Sequence, residues 1–204
     1  MILANAQSLA NLLVDRMSPY TERIAVAGSI RRLRPEVKDV EIVAIPKWTT
    51  RAKSNSLFGE QEQVNLLCEW ATQAPGIRWI KTGTSDIQDW QIKPEGSYWR
   101  GLLEPLAFGI NESKIKLDLF LAKPNNWGAI LLIRTGSADF NVAIMKHARS
   151  INRPCDKGYF YKDGEPYPTP EELDVFELLN LEFVAPSKRF DESALKGRLQ
   201  SAQA

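Results

Sequence analysis

A chain of 204 residues, 44% hydrophobic and 25% charged, suffices for one substantial domain, or one with a small appendage, and is too apolar to be disordered. Its net charge of +1, from 26 basic and 25 acidic side chains, excludes the strongly basic balance of a dedicated duplex binder. No run approaches the roughly 20 apolar residues of a membrane span, the start carries no basic leader, and the two cysteines, Cys68 and Cys155, are too few for a disulfide framework or a cysteine zinc site. The expectation is a soluble intracellular protein, cytoplasmic or nuclear, with no membrane partner.

Taken in chain order, Ala6, Leu9, Leu13 and Met17, with Leu12 beside them, predict an amphipathic opening helix. Arg23 to Ala27 reads as a short strand. Asp39 to Ile45 alternates as a second strand, closed by Pro46. Glu60 to Gln73 suits a helix with Val64, Leu67, Cys68 and Ala71 on one stripe, and Ile77 to Lys81 a strand. Thr82 to Arg100 is turn-rich, with no element assigned. Lys114 to Ala122 has the clearest alternation: Ile115, Leu117, Leu119 and Leu121 point one way, Lys116, Asp118 and Phe120 the other. After Pro124-Asn-Asn, Trp127 to Arg134 and Ser137 to Arg149 look helical around Thr135-Gly136. Asp163-Gly164 signals a turn, and Thr169-Pro170-Glu171-Glu172 a helix start with Thr169 as cap and a proline at the first position. A boundary near Pro124 divides an α/β part, 1–123, from a smaller, mainly helical part, 124–204. The element order favours α+β over a doubly wound sheet.

Charge is less even than its sum. Arg31, Arg32, Arg34, Lys38, Lys47, Arg51 and Lys53 face only Glu36, Asp39 and Glu41; Arg134, Lys146, Arg149, Arg153, Lys157 and Lys162 face only Asp139 and Asp156. Such zones suit a protein that holds phosphates locally, or are two solvated faces.

Three acids carry the chemistry. Asp39 and Glu41 stand two apart on one strand, so both carboxylates leave the same face; Asp118 lies on the polar face of another. Three such carboxylates can hold two Mg²⁺ ions, although an isolated Asp-x-Glu on a strand is ordinarily a solvated face. The loop before them adds weight: Gly28 lets backbone approach a phosphate, the Ser29 hydroxyl can cradle one, and Arg31 and Arg32 can neutralise triphosphate charge.

Gly28-Ser29, nine residues, then Asp39-Val-Glu-Ile42 resembles the signature of the polymerase-beta-like nucleotidyltransferase superfamily. Gly28-Ser-Ile-Arg-Arg32 is similar to a run in X-family DNA polymerases, and Lys116-Leu-Asp118 to the strand bearing their third carboxylate. Thr135-Gly-Ser-Ala-Asp-Phe-Asn141 with Lys146-His-Ala148 resembles their palm–thumb junction; Glu172 to Phe176 and Ala185 to Arg189 resemble closing segments of the thumb. The resemblance implies a palm of mixed sheet and flanking helices plus a small helical thumb. It implies Asp39 and Glu41 bridging two Mg²⁺ ions (Mn²⁺ substituting), Asp118 binding the catalytic one and helping to deprotonate a primer 3′-hydroxyl, and Gly28, Ser29 and Arg32 holding the incoming triphosphate. Gly136 would make a tight bend, often a cis peptide in the family, and Asn141 would reach the nucleotide.

Departures from the family are informative. The 27 residues before Gly28 leave no room for N-terminal lyase and helix-hairpin-helix modules, giving the expectation of a minimal palm-and-thumb form. Glu41 replaces the usual Asp. Ile133-Arg134 stands where many members carry Tyr-Phe, so Arg134 is assigned to the triphosphate or sugar; Met145 replaces an arginine that touches template, and Ala138 an acid. His147 reads as a helix-face residue, the cysteines as inert, and most aromatic residues as core. The expected activity is DNA polymerase, of the kind used in DNA repair, by a monomer acting on primer/template DNA and nucleoside triphosphates. The alternatives are a template-independent transferase acting on RNA, protein or a small molecule, and an inactive palm that binds nucleic acid.

Overall fold

The computed structural model describes residues 1–53, 59–81, 88–109 and 115–196. The first helix, α1 (Leu3–Met17), buries Ala6, Leu9, Ala10, Leu13 and Met17, a stripe at helical spacing, and Pro19 turns the chain out of it. Strand β1 (Thr21–Val26) leads into the short helix α2 (Gly28–Arg31), and β2 (Asp39–Pro46) follows. A hairpin of β3 (Trp48–Ala52) and β4 (Gln61–Asn65) runs into α3 (Leu66–Gln73). Then come β5 (Ile77–Ile80), β6 (Tyr98–Leu103) and β7 (Ile115–Leu121).

The helix expected over Glu60 to Gln73 is only half a helix. Gln61–Asn65 pairs antiparallel with Trp48–Ala52, and the Asn65 side chain accepts a hydrogen bond from the Cys68 N–H at 3.0 Å, capping a helix that can start only after it. The segment without an assigned element contains the start of β6, whose strand character hides behind Arg100 and Gly101. Lys114, the expected first residue of β7, lies outside the described residues.

These strands form a mixed five-stranded sheet in the order β1-β2-β7-β6-β5, with β2 and β7 parallel and the other pairs antiparallel. Alternation sorts its two faces. Val40, Ile42 and Ala44 of β2 and Ile115, Leu117 and Leu119 of β7 join α1 and α3 in the larger core. On the opposite face, Val43, Ile45, Phe120 and Ala122 pack under Trp127 and Leu131. That second face is apolar toward the strands' carboxyl ends and acidic toward the amino end of β2.

Beyond Pro124, α4 (Trp127–Thr135) and α5 (Ala138–Ser150) are followed by a small antiparallel sheet of β8 (Cys155–Asp156), β9 (Tyr159–Lys162) and β10 (Glu165–Tyr167), then α6 (Glu172–Leu178) and α7 (Ser193–Lys196). The mainly helical expectation thus missed three short strands. Asp163 and Gly164 both take positive φ in the β9–β10 turn, as the Asp-Gly pair predicts. The start of α6 also differs from expectation. Glu171, not Thr169, is its N-cap, closing a reciprocal capping box with Asp174; the Thr169 backbone is committed to Asn125 and Gly128. This part has its own core, built on Phe140, Ile144, Phe160, Val175 and Phe176. The chain is therefore α+β: a mixed sheet with flanking helices plus a smaller, largely helical part. No helix among the described residues is long and apolar enough to cross a membrane.

Candidate active site

Asp39, Glu41 and Asp118 share one sheet face. The parallel register sets Glu41 directly beside Asp118 and Asp39 beside Lys116. Setting three carboxylates on one sheet face has an electrostatic signature. Burial, then the neighbouring Asp39 and Asp118 charges, push the Glu41 carboxyl up to about 7. Burial and Asp118 raise Asp39 as well. Such a site favours a cation of high charge.

The side chains are not arranged as a closed cage. Among the described residues, no three acidic, histidine or cysteine side chains stand close enough together to enclose a metal. Asp118, which is 5% exposed, is bonded to β6. Its Oδ1 accepts hydrogen bonds from Arg100 Nε and Tyr98 Oη, both at 2.7 Å, and its Oδ2 accepts one from Arg100 Nη2 at 2.9 Å. As a donor set the three carboxylates suit a hard divalent ion.

The loop before β2 is built around Glu41. Gly28 has φ +60°, and a Cβ there would overlap Glu41 Oε2, so this position requires glycine on both conformational and steric grounds. Among the described residues, Ser29 Oγ is buried without a hydrogen-bond partner, as are Arg32 Nε and Asn141 Oδ1. Arg32, at the end of α2, donates from Nη1 to the Thr135 carbonyl, and its Nε is buried and unpartnered. Burial lowers the Arg32 pKa and the nearby Glu41 charge opposes that shift. Gly136 also has positive φ, its Cβ position lies 3.0 Å from Arg32 Nη1, and the Gly136–Ser137 peptide is cis.

Asn141 donates from Nδ2 to the Ile133 carbonyl at 2.7 Å while its Oδ1 is buried and unpartnered. Arg134 lies with its guanidinium 4.0 Å from the Phe120 ring centroid, close enough to lower the Glu41 pKa. Arg32, Glu41 and Arg134 are thus electrostatic neighbours. Ser29, Arg32 and Asn141 each leave a buried polar atom unmatched, which a polar ligand could satisfy.

Arg31 is a correction. The sequence sets it beside Arg32 as a phosphate ligand, but it makes a two-point pair with Glu172 at 2.8 and 2.6 Å and donates to Thr135 Oγ1 at 2.8 Å. Glu172 also accepts from Arg189 Nη1 at 2.8 Å, and Arg189 is fully buried. Arg31 therefore ties α2 to α4 and α6. The first basic zone is also less free than its charge implies: Arg51 pairs with Glu69 and Lys53 with Glu60. Met145 packs against the smaller core, and His147 shares a hydrogen bond with the Leu179 carbonyl. Tyr98 and Arg100 were missed. Their signal was a residue pair two apart, facing the same way as Asp118, in a segment whose glycine and turn residues masked the strand.

Comparison with known families matches one segment of the chain. Residues 130–190 match the family model of the DNA polymerase beta thumb. The match spans most of α4, then α5, the small sheet and α6, and supports an X-family polymerase-like relationship through that segment. No curated protein matches the chain.

Proposed function

We propose that the protein is a Mg²⁺-dependent nucleotidyltransferase of the X-family DNA polymerase type, with residues 1–123 as catalytic palm and 124–204 as thumb. The observation that carries this reading is the shared face of Asp39, Glu41 and Asp118, set beside the Gly28-Ser29 loop and joined through Arg32 to a segment matching a polymerase thumb. In the reaction a primer 3′-oxygen attacks the α-phosphorus of a nucleoside triphosphate, the bond to the bridging oxygen breaks, and pyrophosphate leaves.

Asp39 and Glu41 would each bind both of two Mg²⁺ ions, or Mn²⁺ in their place, and Asp118 one of them. Bound there, the ions would polarise the α-phosphate and favour loss of the 3′-hydroxyl proton. The chain's own contribution is positioning. Ser29 Oγ and the free Nε–H of Arg32 hold the triphosphate, Asn141 Oδ1 accepts from the nucleotide, and Arg134 adds positive charge beside Glu41. Asp118 accepts the proton of the attacking hydroxyl. Primer extension with Mg²⁺, with and without template, using ribo- and deoxynucleotides in turn, tests the reading. Template-directed extension supports it, indifference to template replaces it with the template-independent alternative, and binding without extension leaves the inactive palm.

Neighbouring arginines divide the labour, and substitution separates them. Arg32→Ala should raise the nucleotide KM about tenfold or more and lower kcat while shifting the melting temperature little, because a charge-assisted contact to phosphate is lost. Arg31→Ala should do the reverse, lowering the melting temperature strongly through the Glu172 contact. Steady-state kinetics and thermal unfolding of both variants check this, and equal profiles would refute it.

A further inference from the structure

Arg100 is a residue that neither the acid motif nor the thumb match accounts for. It sits on β6, directly opposite Asp118 in the antiparallel register, with Tyr98 opposite Phe120. Tyr98 and Arg100, two apart, project on the same face as the acids. Tyr98 stacks on Phe120 with centroids 4.8 Å apart and rings 12° from parallel, which fixes where its hydroxyl points. Between them the two side chains fill three of the roughly four lone-pair sites on the Asp118 carboxylate.

A basic residue two before the acid on its own strand, Lys116, is exposed and registers with Asp39. The cation that meets Asp118 comes from the adjacent strand instead. The side chain of Arg100 is 33% exposed while that of Asp118 is 7% exposed. One partner is thus buried and fixed, and the other has a path to solvent.

We propose that Arg100 is a positioning residue that serves as an internal counter-cation for Asp118, holding the third carboxylate away from Asp39 and Glu41 and yielding it when a divalent cation binds. This rests on the reading of the three acids as a metal site. Charge exclusion drives the exchange. An ion of charge +2 sharing the Asp118 oxygens would stand within a few ångströms of the guanidinium, and both compete for the same lone pairs. Release of Arg100 then swings Asp118 toward its two acidic neighbours. The consequence is that metal affinity is set below what three carboxylates would otherwise give.

The test is Mn²⁺ binding to the full chain by isothermal titration calorimetry, without nucleotide or DNA. Arg100→Met keeps the length of the side chain and removes its charge, and should tighten Mn²⁺ binding about tenfold. Arg100→Lys keeps the charge but loses the two-point fork, and should tighten it about threefold; it carries the test should the methionine variant fail to fold. Tighter binding in either supports the proposal. Unchanged affinity with only a lowered melting temperature would show a structural pair, and weaker binding would show that Arg100 assists the metal; each overturns it. Asp39→Asn, made alone and with Arg100→Met, separates this from the reading beneath it. If Asp39→Asn leaves Mn²⁺ binding intact, or the wild type binds none, the metal site itself is wrong and the proposal falls with it. If Asp39→Asn abolishes binding and the Arg100 variants do not tighten it, only the role of Arg100 is lost.

Discussion

Glu172→Ala should destabilise the protein by about 3–5 kcal/mol, the range for removing one partner of a buried ion pair. Glu172 is 6% exposed and receives Arg31 from α2 and Arg189 from the segment after α6. Its loss strands a fully buried guanidinium, Arg189, whose remaining contacts are a bond to the Val184 carbonyl and the surrounding rings of Phe140, Phe176 and Phe183. Arg31 is a quarter exposed and can recover solvation, so most of the penalty falls on Arg189. Neighbouring Glu171 makes a comparable two-point pair with Arg23, but both of those side chains are exposed, and Glu171→Ala, which loses that pair together with the α6 cap, should cost about 1–2 kcal/mol. Denaturant unfolding of the two variants checks the contrast. Equal losses would mean that burial of the pair contributes nothing.

The same pair sets an acid limit. Burial alone would push the Glu172 carboxyl up, but hydrogen bonds from Arg31 and Arg189 outweigh it and hold the group below the usual carboxylate range. A lowered native pKa means that the folded state keeps the charged form while the unfolded chain takes up a proton. Stability from this source is complete above the ordinary carboxylate pKa and is lost as pH falls through the lower native value. The wild type should lose stability below about pH 4.5 more steeply than Glu172→Gln.

Much of this was legible in residue order, and what was not has identifiable causes. The β2 and β7 strands announced themselves because each puts apolar residues on one face at strict period two, and the same alternation set Asp39, Glu41 and Asp118 on a common side. Gly28 was readable as a site needing close approach, although the group that approaches is Glu41 itself. The strand at Gln61–Asn65 was hidden because a polar edge hairpin has no apolar face to alternate, and its Val64 falls by chance on the helical stripe that follows. Arg31 and Arg32 are alike in sequence. The resemblance assigned the triphosphate to Arg32 alone, but only the long-range partners, Glu172 for Arg31 and the Thr135 carbonyl for Arg32, show what Arg31 does instead. Arg100 was invisible for the same reason, since its meaning comes from a register with a strand farther along the chain.

Neutralising the acids one at a time should stop nucleotidyl transfer, with opposite effects on the fold. Asp39→Asn and Glu41→Gln should each lower kcat by about 10³-fold or more, equivalent to about 4 kcal/mol of transition-state stabilisation, since each removes a carboxylate proposed to serve two ions. Their stability should move the other way. Both groups are raised first by burial and then by neighbouring carboxylates, Asp118 for Asp39 and both Asp39 and Asp118 for Glu41, so replacing either with its amide removes a disfavoured charge from the folded state at neutral pH. Asp118→Asn is expected to differ. It too should abolish turnover, but it removes the charge that Arg100 pairs with and one of the two oxygens Arg100 donates to, and so should destabilise the fold. Single-turnover extension and thermal unfolding, measured on all three variants, give six numbers that must fall in this pattern. Full activity in any one variant would remove that residue from the site. An unchanged melting temperature in Asp118→Asn would mean that Arg100 finds an equally good partner without it, and stabilisation by Glu41→Gln that shrinks at pH 5, where the folded state holds that carboxyl protonated, would trace it to the buried, crowded charge.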